Sequence, residues 1–155
     1  MNPLTVEWVE KAEEDFLGAS CLLAEHPLPD IICYHCQQSA EKYLKARLQQ
    51  AMIPFPKTHD LWQLLRLLAP VEPSWEELLR PHLRVLREHA IDFRYPGQRA
   101  TAEHAQLAMA SCQIVRSVVR KGLGLDDSPS QVKEKRAGYV LPPRKRTRSA
   151  KRKSS

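Results

Sequence analysis

The sequence predicts an all-α protein, an up-and-down antiparallel bundle of about five helices with a disordered basic C-terminal tail. Three observations lead to this prediction. Apolar residues recur at spacings of three and four, no stretch shows sustained strand alternation, and prolines separate the helical patterns at short intervals. With 155 residues, of which 43% are hydrophobic, the chain is long enough for one domain with a core.

The first two helical patterns are bounded by prolines. Asn2 and Pro3 are a typical cap and first turn for the first helix, which a pair of prolines ends before residue 30. Asp30 is expected to cap the second helix, which continues to about Ala51. The inward positions of the two helices are Val6, Val9, Ala12, Phe16, Ala19, Leu22, Leu23, Ile32, Cys36, Ala40, Tyr43 and Leu44.

Capping residues mark the starts of the third and fourth helices. Thr58 is expected to cap a third helix from His59 to Leu68. Ser74 opens the motif Ser-Trp-Glu-Glu, which predicts a capping box for a fourth helix that reaches about Phe93. Pro81 lies inside this fourth pattern and is expected to kink the helix or to restart it.

The last helix and the segment after it differ in charge. Thr101 is expected to cap a helix through about Lys121, which divides the chain into a bundle over 1–121 and a disordered tail over 122–155. The tail holds ten Lys and Arg against three acidic residues, a net +7, whereas 1–121 has a net charge of −1. The tail is therefore expected either to contact nucleic-acid phosphates or to act only as a solubilising extension.

Several absences bear on the compartment and on the class of protein. The N-terminal segment has no apolar signal-peptide core, and no window approaches the roughly 18 apolar residues of a membrane span. The four cysteines fall inside helical patterns, so we expect reduced, buried thiols and a cytoplasmic location. Cys33 and Cys36 have the spacing of metal and redox sites, but within one helix and without a second pair we expect them to be core residues, and we expect no cofactor.

One side of the second helix is unusually polar. This pattern indicates either a solvated face or a polar groove between helices or subunits, and periodicity does not decide between them. His59 is a related case, because capping and the helix dipole explain its neighbours Thr58 and Asp60 but not the imidazole. It could bind an anion when protonated, or be merely exposed. The polar residues of the helix are His35, Gln37, Gln38, Glu41, Lys42 and Lys45.

The segment 33–46, CYHCQQSAEKYLKA, resembles the signature helix of the HEPN domain family. Segments 57–61 (KTHDL), 93–97 (FRYPG) and 8–16 fit the same family in the same order, and the resemblance covers most of 4–121. It implies a compact helical bundle that is commonly dimeric and often stands beside an MNT-type nucleotidyltransferase in a toxin–antitoxin pair. Active members of the family are metal-independent endoribonucleases with an Arg-x(4–6)-His motif. In such a motif His can serve as general acid or base, while Arg stabilises the charged transition state.

Two pairs in the chain match this motif formally, Arg84 with His89 and Arg99 with His104. The family's catalytic Arg usually opens the segment before the last helix, which points to Arg94. With four to six residues between Arg and His, its partner would be residue 99, 100 or 101, and none of these is a His. The Arg-Tyr-Pro-Gly form of that segment resembles a subgroup for which nucleotide or partner binding has been suggested instead of cleavage. Arg94 and its neighbour could also be purely structural residues of a turn.

The resemblance therefore implies a non-catalytic or weakly active module that binds a nucleotide or RNA, forms a homodimer and pairs with an MNT-type nucleotidyltransferase. Two alternatives stay open. The first is an active ribonuclease toxin that uses Arg99 and His104, or Arg84 and His89. The second is a structural dimerisation domain whose basic tail alone contacts nucleic acid. The residues expected to bind nucleotide or RNA are Lys57, His59, Arg94 and Tyr95.

Overall fold

A computed structural model describes residues 1–128 of the chain. Those residues contain helices and no strand, so the all-α prediction is confirmed, and none of the helices is long and apolar enough to cross a membrane. The fourth helix continues through Pro81 as a single helix. The predicted tail lies almost wholly outside the described residues and stays a prediction. The five helices are α1 (Pro3–Glu25), α2 (Pro29–Gln50), α3 (Leu61–Leu68), α4 (Trp75–Asp92) and α5 (Ala102–Gly122).

The second helix is the centre of the bundle, because it packs against each of the other four. A three-residue connection joins α1 to α2, which makes the two helices antiparallel neighbours. The core combines leucines of α3 and α4 with small residues of α1, α2 and α5. Tyr43 of α2 is the largest fully buried side chain. This packing fixes α2 among α1, α5 and the two middle helices α3 and α4.

Two helices begin as the sequence predicts. The Asn2 side chain accepts hydrogen bonds from the backbone N–H groups of Leu4 (2.8 Å) and Thr5 (3.3 Å) at the start of α1. The Thr101 hydroxyl accepts from the N–H of His104 (3.2 Å), whose Nδ1 accepts from the N–H of Thr101 (3.0 Å). The last helix therefore starts with a capping box in which histidine takes the place of the usual Glu or Gln.

Three of the predicted caps are wrong in detail. Asp30 lies in the first turn of α2, and its carboxylate accepts from the N–H of Ala100 at 2.6 Å, which ties the segment before α5 to α2. Thr58 accepts from the N–H of Asp60 (3.1 Å), and Asp60 is the true cap of α3, which therefore starts two residues later than predicted. Ser74 begins α4 without a side-chain cap bond, because its backbone is already helical (φ −78°, ψ −13°).

A charged cluster lies buried between α1, α2 and α5. Arg116 donates two hydrogen bonds to the Glu13 carboxylate, at 2.7 and 3.0 Å, and the Tyr43 hydroxyl donates a third. Arg120 lies 3.8 Å from the same carboxylate. Burial alone raises the pKa of Glu13, but the hydrogen bonds from Arg116 and Tyr43 and the two guanidinium charges together lower it below its ordinary 4.5. Glu13 is therefore held as a carboxylate inside the bundle.

The same two arginines hold the chain after α5. Arg120 donates to the carbonyl oxygen of Asp126 at 2.7 Å, and Arg116 donates to that of Ser128 at 3.3 Å. Leu125, immediately before Asp126, packs against the core. The described residues beyond α5 thus fold back onto the bundle.

Candidate functional site

The polar side of α2 is a contact surface between helices. Glu41 and Lys45 are almost fully buried and form an ion pair with a distance of 2.8 Å between Nζ and Oε1. His35 and Lys42 are half-buried, and both contact Asp15 of α1, His35 through Nδ1 at 2.8 Å. Of the two interpretations that the sequence left open, the structure supports the polar groove between helices.

Glu41 holds the imidazole of His59, which lies on the loop before α3. The Nδ1 atom of His59 is 3.1 and 3.2 Å from the two carboxylate oxygens, while the side chain is 84% exposed. Gln37 donates to the same carboxylate at 3.2 Å. A buried carboxylate therefore orients an exposed imidazole, a pairing that links residues of two separate segments and that the sequence pattern did not reveal.

His59 and Arg94 line one groove, which has a volume of about 270 Å³. This brings together two of the four residues predicted to bind nucleotide or RNA. Arg87 adds a second guanidinium that sequence reasoning missed, although its position two helical turns before Arg94 is a signal that could have found it. Lys57 and Tyr95 are exposed and do not line the groove. The complete lining is Gln37, Gln38, His59, Asp60, Arg87, Ala90, Ile91 and Arg94.

A second hollow, of about 280 Å³, shares Arg94 with the groove, and the groove and this hollow are together called the two hollows. His89 and Phe93 line it, and behind them lies the ring of His104, with centroid distances of 4.9 Å to each. Burial, and then the neighbouring imidazole of His104, lower the pKa of His89. A neutral imidazole and a guanidinium therefore share this hollow. Its lining is Asp30, Ile31, Tyr34, His89, Ala90, Phe93 and Arg94.

The Arg and His pairs of the formal motifs have different surroundings. Arg84 is exposed and lies five residues before His89 on α4, a spacing that separates two side chains by about 140° around a helix. Arg99 is exposed and lines neither hollow, and the Nδ1 atom of His104 is engaged in the capping box. In the second hollow the Arg and the His are Arg94 and His89, which follow the reverse order of the motif along the chain.

The cysteines contribute to packing. Cys33, Cys36 and Cys112 are buried as expected, whereas Cys21 is exposed, contrary to the expectation that all four are buried. Burial, and then the nearby charge of Asp30, raise the pKa of the Cys33 thiol to about 11. Among residues 1–128, no three His, Cys, Asp or Glu side chains are grouped so that they could hold a metal ion.

Comparison with known proteins gives one positive result. A family model described as the HEPN domain matches residues 5–122, a segment that contains α1 except for its first two residues and all of the other four helices. Neither the curated proteins nor the solved structures include one that matches the chain.

Proposed function

Because the chain belongs to the HEPN domain family, we propose that it is a binding module for RNA or a nucleotide and for a protein partner. It is non-catalytic or weakly active in this proposal and belongs to a toxin–antitoxin type of system. The observation that supports it most is the groove in which His59, Arg87 and Arg94 lie together.

The chemistry of the groove suits a phosphate group. A guanidinium offers several N–H donors in a fixed plane and pairs well with phosphate oxygens. The net charge of 1–121 is −1, so the groove is not part of a basic surface, but in its lining two arginines outnumber the single carboxylate, Asp60. The side-chain amides of Gln37 and Gln38 offer further hydrogen-bonding groups along the same wall.

Binding of a single-stranded RNA hexanucleotide, measured by fluorescence anisotropy, tests the proposal. Arg94→Ala is expected to weaken binding by about 10- to 100-fold, the loss typical of hydrogen bonds to a charged group. Arg66→Ala is the matched control, because it removes an exposed arginine of α3 that lines neither hollow. Equal affinities for the two variants would contradict the proposal.

A chain that ends at residue 128 separates the groove from the basic tail. If the tail alone binds nucleic acid, this chain loses all affinity together with its salt dependence, while Arg94→Ala in the full chain has no effect. If the groove binds, the shorter chain keeps a weaker affinity that still depends on Arg94.

For the partner, we propose a homodimer and an MNT-type nucleotidyltransferase. Three large apolar side chains that line the groove or the second hollow, together with Tyr95 next to Arg94, are exposed by 44–66%, which suits a contact with another protein. Light scattering of the purified protein tests the dimer, with Ile31→Ser against Leu107→Ser as a control on α5. A dimer that dissociates equally in both variants would contradict the use of this face. The four exposed side chains are Ile31, Tyr34, Ile91 and Tyr95.

The free thiols of the buried cysteines support a cytoplasmic location, which we also propose.

A second candidate function is metal-independent RNA cleavage by Arg94 and His89. The supporting observation is that this arginine and an imidazole with a lowered pKa share one hollow. A neutral imidazole can accept a proton from a 2′-hydroxyl group. Cleavage in the presence of a chelator is expected to stop in His89→Ala and to continue in Arg99→Ala, and the opposite result would favour the formal motif.

A further inference from the structure

The hydrogen bonding of Glu41 determines which nitrogen of His59 carries a proton. Paired with the Lys45 ammonium at 2.8 Å, Glu41 is a carboxylate whose oxygens can only accept hydrogen bonds. Because Nδ1 of His59 lies 3.1 and 3.2 Å from these oxygens, Nδ1 must be the donor. In the neutral imidazole the remaining nitrogen, Nε2, is then an acceptor. The side chain is 84% exposed at the groove, so this acceptor is open to a ligand.

An acceptor in this position selects the chemistry of its ligand. A phosphate oxygen is itself an acceptor and gains nothing from Nε2, whereas the guanidinium groups of Arg87 and Arg94 can only donate and suit phosphate. The groove therefore combines donors for a phosphate with an acceptor for a hydroxyl group. A phosphate and a neighbouring hydroxyl group occur together in a ribonucleotide, and its 2′-hydroxyl is the group that deoxyribonucleotides lack.

We propose that His59, positioned by Glu41, selects ribonucleotides over deoxyribonucleotides by accepting a hydrogen bond from the 2′-hydroxyl at Nε2. This inference rests on the proposed function and adds the residue that recognises the ribose and the residue that positions it. Glu41 is a positioning residue in this scheme, and Lys45 is its ion-pair partner. The contact uses one imidazole of the groove, so a single 2′-hydroxyl carries the selection.

The test varies the 2′ group of the ligand, which leaves the fold of the protein untouched. Hexa-adenylate RNA, its 2′-deoxy counterpart and its 2′-O-methyl counterpart are titrated against the full chain by fluorescence anisotropy. The wild type is expected to prefer RNA by about three- to tenfold over both analogues, the range of one net hydrogen bond. The 2′-O-methyl oxygen still accepts but no longer donates, so a preference based on an acceptor at Nε2 rejects it as well.

Protein variants then assign the preference. His59→Ala is expected to reduce the ratio of affinities to about one, and His26→Ala, which removes an exposed imidazole that lines neither hollow, is expected to keep it. Glu41→Gln is expected to reduce the ratio too, because an amide accepts and donates and no longer fixes the proton at Nδ1. Should that variant fail to fold, His59→Ala decides alone, since its side chain is mostly in solvent.

Three results would overturn the inference in distinguishable ways. Equal binding of all three oligonucleotides by the wild type, with Arg94→Ala weakening all three, removes the hydroxyl contact but leaves the phosphate site. A preference for RNA that persists in His59→Ala assigns the selection to another residue. Binding that is independent of both Arg94 and His59 removes the proposed function together with the inference.

Discussion

Replacing Arg116 by methionine is expected to destabilise the fold strongly. The side chains of Arg116 and Glu13 are 3% and 2% exposed, so water cannot replace the two hydrogen bonds that the substitution removes. Removing one partner of a buried ion pair lowers the free energy of unfolding by about 3–5 kcal/mol, because the other charge stays buried without compensation. The Tyr43 hydroxyl and Arg120 stay beside the carboxylate, which places the expected loss near the lower end, at about 3 kcal/mol. That is a large part of the roughly 5–15 kcal/mol typical of a whole domain.

Urea unfolding followed by far-UV circular dichroism measures this loss. Arg80→Met is the control, because Arg80 forms an ion pair with Glu76 of which the two side chains are 51% and 44% exposed, and such pairs contribute at most about 1 kcal/mol. The double variant Arg116→Met with Glu13→Gln removes the charge from both sides and is expected to recover part of the loss. If Arg116→Met costs no more than Arg80→Met, the buried cluster does not stabilise the fold as argued.

Three further predictions concern stability. The pKa of Glu13 is lowered in the folded state, so the ionised carboxylate stabilises the fold above pH 4.5, and this stabilisation is lost as the pH falls below 4.5 and through the folded pKa. Acid unfolding at constant ionic strength, compared between the wild type and Glu13→Gln, measures the loss. Gly122→Ala places a Cβ atom 2.6 Å from the buried indole ring of Trp75 and is expected to lower the free energy of unfolding by about 1–3 kcal/mol. Gly18→Ala, where the new Cβ has no atom within 4 Å, is expected to raise it by up to about 1 kcal/mol, and thermal unfolding measures both variants. Thr101→Ala removes a cap hydrogen bond and is expected to cost about 1 kcal/mol, while Ser74→Ala, whose hydroxyl makes no cap bond, changes the stability by less than about 0.5 kcal/mol.

The sequence predicted the helices well because their periodicity is a local signal. The Thr101 cap could be predicted because its hydroxyl bonds to a backbone N–H only three residues later, so the signal lies within one turn of the sequence. Thr58 and Asp60 were harder to separate, since both have side chains that can cap, and the choice depends on which backbone is extended. The presence of the helices and the all-α fold class could thus be predicted from the spacing of apolar residues. The first residue of each helix could not, because it depends on which of several nearby side chains forms the cap hydrogen bond.

The site could be predicted only in part, because its partners are distant along the chain. Arg94 and His59 were singled out separately, by resemblance and by the lack of a structural role, and nothing in their spacing indicates that they line one groove. The polar residue Glu41 carried no signal for burial, since a carboxylate four residues before a lysine is also typical of a solvated helix. Burial of Arg116 was likewise unexpected, because its partner Glu13 lies on another helix.

The central position of α2 has a consequence for how the domain opens. This helix contacts all four others, and its polar residues are engaged with Asp15 on one side and with His59 on another. The backbone amides in the buried middle of α2 are therefore expected to exchange hydrogen only when the bundle opens. The loop that carries His59 and the segment that carries Arg94 line the groove together with Gln37 and Gln38 of α2. A ligand bound there would therefore contact the helix that we expect to exchange most slowly.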